Sequence, residues 1–148
     1  MRRAARTWLI AVGALNGLAG LVCGVLLIAR PDGSLLMATA LLPVVRALPF
    51  ANVFFRDLFW IGAAMILVLG VPDLVATAML VRRNTRQYQV ALAAAVLLMF
   101  WTVFELIFMF NVAAFGYFVV AIISAICALW LLGTSRRRAP NKRFERAA

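Results

Sequence analysis

From Trp8 to Ala29 the chain carries no charged residue, a run long enough to cross a bilayer as a single helix. Three further apolar segments follow, at about 53–81, 90–110 and 112–133. A spanning helix needs about 20 mostly apolar residues, so four of them with their connectors use nearly all of the 148 residues. Two thirds of the chain is hydrophobic (66%) and only 14% is charged, too little polar surface to cover a soluble domain of this size. The expected fold is all-α: a polytopic membrane protein with four transmembrane helices in one bundle over residues 1–135 and a basic tail over 136–148.

The arginines fix the expected orientation. With the N-terminus, the 82–89 turn and the C-terminal tail on the cytoplasmic side, twelve basic residues lie inside and three, Arg30, Arg46 and Arg56, lie outside. Both termini are therefore expected in the cytoplasm, and the membrane is expected to be a bacterial inner membrane. Arg2, Arg3 and Arg6 before the first apolar run resemble the start of a secretory signal. The run is too long for a signal core, and the expectation is a retained first helix.

The net charge of +10 does not read as a nucleic-acid footprint, because the basic residues sit at the ends of apolar runs and mark topology. Six of them between Arg136 and Arg146 suit contact with anionic lipid at the cytoplasmic face. Histidine is absent, which removes the usual metal or haem ligand and the commonest general base. No metal or cofactor is expected, and no catalytic constellation is recognisable. Cys23 and Cys127 are expected at different depths and unpaired.

Residues 34–52, broken by Pro43, Arg46 and Pro49, are too short of apolar residues to span and are expected to lie in the outer interface. The second helix carries Pro72-Asp73 in its interior. Its apolar residues, at about 0.3 to 0.6 kcal/mol each, together outweigh the roughly 3 kcal/mol cost of one central aspartate, so it still inserts. Pro72 lacks a backbone donor and is expected to kink that helix.

Three groups of residues are candidates for more than lipid packing. Gly13, Gly17, Gly20 and Gly24 recur every three or four positions and form one stripe, suited to close approach of another backbone in this chain or in a second subunit. Glu105 lies about two turns from the outer end of its helix, with Trp101 one turn before it. Together with Arg56, Asp57 and Asn52 at the outer end of the second helix they form a candidate outward pocket, or, more simply, Arg56 and Glu105 pair to pin two helices. Asn16 and Asp73 fall at matching depths, and a hydrogen bond between them is expected.

The short loops, the glycine-striped first helix, the sequence from Pro49-Phe50 to Arg56-Asp57, and Trp101 with Glu105 together resemble small bacterial four-helix membrane proteins of the DoxX-like and uncharacterised kind. The resemblance implies a small membrane-embedded protein, of a kind in which some relatives are associated with quinone or thiol redox partners. The favoured expectation is a non-catalytic accessory or assembly subunit that meets a membrane protein partner, or a second copy, through the glycine stripe and the basic surface. The alternatives are a binder, carrier or enzyme for a lipophilic small molecule through the outward pocket, and a proton-coupled transporter using Asp73 and Glu105.

Overall fold

The computed structural model describes residues 1–47, 56–108 and 112–136, with Arg136 by its backbone alone. Asn52 and the tail beyond Arg136 lie outside the described residues. Four long helices dominate: α1 (Arg2–Ala29), α3 (Phe59–Val81), α4 (Gln87–Phe108) and α5 (Val112–Arg136), and no strand occurs among the described residues. Each of the four is long and apolar enough to cross a membrane. The apolar side chains that remain exposed, such as Leu15, Leu67, Phe100 and Ile126, are those that lipid would cover.

The helices pack side by side, α1 against α3 and α5, and α4 against α3 and α5. The glycine stripe decides the α1–α3 contact. A Cβ at Gly20 would meet Leu69 Cβ at 2.8 Å and Gly70 N at 2.9 Å, and one at Gly24 would meet the Gly62 carbonyl oxygen at 2.6 Å. The approach is reciprocal, since a Cβ at Gly62 would lie 2.7 Å from the Gly24 carbonyl oxygen. Only missing side chains let two backbones come this close, and in lipid such contact is the main attraction between helices. Of the two uses open to the stripe, the one realised is packing within the chain.

The turn before Pro72, Met65–Gly70, is wound as a π-helix, and ordinary α-helix resumes at Val71. Proline cannot donate to the ladder and crowds the carbonyl four residues earlier, and a wider turn relieves both conditions. Gly20 seats this wide turn, because its missing side chain leaves room for the Met65 carbonyl and Leu69.

The connection from α1 to α3 forms a compact cap. Pro31 accepts a backbone bond from Leu58, two short 3-10 turns (Ser34–Leu36 and Thr39–Leu41) lead into a short helix α2 (Leu42–Arg46), and Val45 is completely buried against Leu27 and Leu58. Asp32 Oδ1 accepts the Ser34 backbone N–H at 3.0 Å and its hydroxyl at 2.8 Å, and these bonds hold its carboxyl below the usual carboxylate range. At the other end, Arg6 Nη2 donates to the Leu80 carbonyl at 2.6 Å, adding a cationic donor at the C-terminal end of α3. Trp8 Nε1 donates to Ser124 Oγ at 3.2 Å and ties α1 to α5.

The spans start and stop at different places from those expected. Helix α1 begins at Arg2, not at Trp8, α4 begins at Gln87, and α5 runs past Gly133 to Arg136. The largest correction is at α3, which begins at Phe59 rather than near Val53. Asp57 Oδ1 accepts the Phe59 N–H at 3.0 Å and closes a turn just outside the helix.

Candidate functional site

In the half of the molecule nearer the α1–α3 connection the four long helices leave a cavity of about 160 Å³ between them. Helix α1 contributes Asn16, Gly20 and Cys23, about 10 Å of wall by helical rise. Across from it stand Met65 and Leu69 of the π-helical turn. Thr102 and Glu105 of α4 and Tyr117 of α5 complete the wall. Met65 and Leu69 of the π-turn thus line the same space as Gly20.

Polar groups are few here and unevenly satisfied. Thr102, 1% exposed, donates its hydroxyl back to the carbonyls of Leu98 at 2.9 Å and Met99 at 3.0 Å, so it offers little to a ligand. Trp101 Nε1 donates to Glu105 Oε1 at 2.8 Å along the same face of α4. This bond fixes the carboxyl beside the cavity and occupies one of its oxygens. The Asn16 side-chain nitrogen is buried with no hydrogen-bond partner, a condition that costs about 1 to 3 kcal/mol in a protein interior.

Trp101 also lines a second, wholly different space. A groove of about 360 Å³ opens on the α3–α4 face, walled by Trp60, Ala64, Val68, Leu97, Phe100 and Phe104. Its lining is apolar and aromatic, and Trp101 and Phe104 stack in tilted fashion with ring centres 6.0 Å apart. One indole therefore lines both a cavity with polar groups and an apolar groove on the surface of the bundle.

Of the expected pocket residues, the structure brings together Trp101 and Glu105 and leaves out Arg56 and Asp57. Arg56 is exposed, and its carbonyl accepts from Arg46 Nε at 3.3 Å. Asp57 is taken up in the turn before α3. Neither lines the cavity, and Glu105 has Trp101 rather than Arg56 as its hydrogen-bond partner.

The Asn16–Asp73 hydrogen bond is likewise absent: Asn16 Nδ2 and Asp73 Oδ2 are both buried and without a partner. The two residues face different spaces. Asn16 lines the four-helix cavity, whereas Asp73 lines a void of about 20 Å³ among Leu9, Ala76, Leu80, Ala94 and Ser124. Matching depth does not ensure matching direction around a helix. Cys23 and Cys127 are both free, Cys23 on the cavity wall and Cys127 packed near Leu9 and Leu131.

Sequence reasoning missed Thr102, Met65 and Tyr117. Thr102 was within reach of it, since Leu98, Trp101, Thr102 and Glu105 share one helical face by spacing. No protein-family model, no curated protein and no solved structure matches the chain.

Proposed function

We propose that this chain is a multi-pass protein of a bacterial inner membrane, with both termini cytoplasmic, that binds an amphipathic small molecule in the cavity between its four helices. The observation that carries this reading is the buried, unpartnered amide nitrogen of Asn16 on the wall of a cavity that also holds the Glu105 carboxyl. A donor without an acceptor and a carboxylate with a free oxygen together suit a head that offers a hydroxyl or carbonyl to Asn16 and a donor or cation to Glu105. The apolar remainder of the molecule would lie in the groove beyond Trp101 and reach the cavity from the lipid side. The cavity alone has room for a head group rather than a whole drug-sized ligand.

A role as an accessory subunit needs a surface other than the glycine stripe, since α3 of the same chain covers that stripe. The test is the organic extract of the purified protein, compared between wild type and Asn16→Leu by mass spectrometry. Leucine removes the unpartnered amide and fills part of the cavity, so the variant should fold at least as well as wild type and lose the bound molecule. Identical extracts from both proteins would refute the binding role.

A further inference from the structure

At the arginine-rich end of the molecule, far from the cavity just described, α1 and the α3–α4 turn enclose a cleft of about 370 Å³. Arg2, Arg3 and Arg6 come from α1, Arg83 from the turn and Tyr88 from the first turn of α4, with Ile10 as an apolar wall on the side of the membrane interior. Among the described residues the carboxylates are Asp32, Asp57, Asp73 and Glu105, and none of them lines this cleft. Four guanidinium groups therefore converge without a described counter-charge.

Two details separate this arrangement from a plain topology signal. Arg6 is anchored through Nη2 to the Leu80 carbonyl, yet its Nε is buried and has no partner. Arg83 sits in the left-handed region at φ 53°, at the position after the helix end where glycine is favoured. The Arg83 N–H bonds the Leu80 carbonyl at 3.2 Å and the Asn84 N–H bonds the Met79 carbonyl at 3.0 Å, the bonding pattern that closes helices on a left-handed residue. The local backbone prefers glycine, and an arginine stands there on the rim of the cleft.

We propose that this cleft is a binding site for a phosphate ester, the head group of an anionic phospholipid. Guanidinium forks match phosphate oxygens two at a time, and Tyr88 and Thr7 add hydroxyl donors beside them. Ile10 below the arginines suits the start of an acyl chain, so a lipid phosphate fits the cleft better than a free anion. The site is independent of the four-helix cavity.

The experiment is native mass spectrometry of the full chain in detergent, titrated with phosphatidylglycerol or phosphatidylcholine, on wild type, Arg83→Gly and Arg82→Gln. Arg83→Gly removes the cation and suits the left-handed backbone, so it should fold as well as wild type; Arg82 neighbours the cleft without lining it. The expected result is a phosphatidylglycerol adduct weakened about tenfold by Arg83→Gly and less than about twofold by Arg82→Gln, with phosphatidylcholine bound weakly throughout. Inorganic phosphate should fail to displace the lipid at millimolar concentration. Displacement by phosphate with the same variant pattern would uphold the phosphate site and make free phosphate its source. Equal loss in both variants, or no preference for the anionic lipid, would overturn the proposal.

Discussion

Trp101 and Glu105 are joined by an indole-to-carboxylate hydrogen bond of 2.8 Å on one face of α4, and the same indole lines both the cavity and the apolar groove. The bond lies within a single helix, so it positions the carboxyl without holding two helices together. Trp101→Phe should therefore cost little stability, about 1 kcal/mol for one lost half-buried hydrogen bond. It should release Glu105 and weaken retention of the bound molecule, measured as the bound fraction after purification alongside a thermal melt in detergent. A large fall in melting temperature would assign the bond a structural role instead.

The α1–α3 contact predicts opposite results at two glycines. Gly→Ala in a helix gains up to about 1 kcal/mol in propensity, but at Gly24 the new Cβ would lie 2.5 Å from Ile66 Cγ1 and 2.6 Å from the Gly62 carbonyl oxygen. Overpacking of this kind costs about 1 to 3 kcal/mol, so Gly24→Ala should lower the melting temperature by several degrees. Gly116, with nothing within 4 Å of an added Cβ, should accept alanine with no loss. Equal behaviour of the two variants in a melt would refute this packing.

Asp73 has a buried oxygen without a partner beside a mostly apolar void that it shares with Ser124. Its replacement by leucine removes that cost, about 1 to 3 kcal/mol, and the adjoining void of about 20 Å³ eases the added volume. Asp73→Leu is expected to melt at a higher temperature than wild type. A lower melting temperature would show that the carboxyl is satisfied in the membrane, and would return the proton-coupled transporter to consideration.

The proposed orientation is open to labelling in cells. In a background with Cys23 and Cys127 replaced by alanine, a membrane-impermeant maleimide applied from outside should label Met37→Cys, since Met37 is 93% exposed in the connection from α1 to α3. Ser135→Cys should react only after the membrane is opened. The reverse pattern would invert the topology.

The helices were legible in the sequence because bilayer thickness and unpaired backbone groups leave a long apolar run few alternatives. Trp101 and Glu105 were legible as a pair for a similar reason: a four-residue spacing on one helix fixes direction as well as depth. Asn16 and Asp73 were misjudged because position along a helix fixes depth alone, and the angle around the axis depends on how α1 and α3 roll against each other. Gly20 and Gly24 pack against the Met65–Gly70 π-turn while Gly13 and Gly17 pack against Asp73, Leu74 and Thr77 beyond it, and nothing in residue spacing announces a π-turn. A helix running on from Val53 would put Arg56 and Asp57 on its outer turn, but α3 begins at Phe59 after the turn in which Asp57 accepts the Phe59 N–H, and neither residue lines the cavity.

If the four-helix cavity holds a small amphipathic molecule, native mass spectrometry of the protein released from mild detergent should show a discrete small-molecule adduct on wild type that is lost from Glu105→Gln while the variant keeps its fold. A stoichiometric protein partner on both, with no small molecule on either, would contradict that reading and make the chain an accessory subunit.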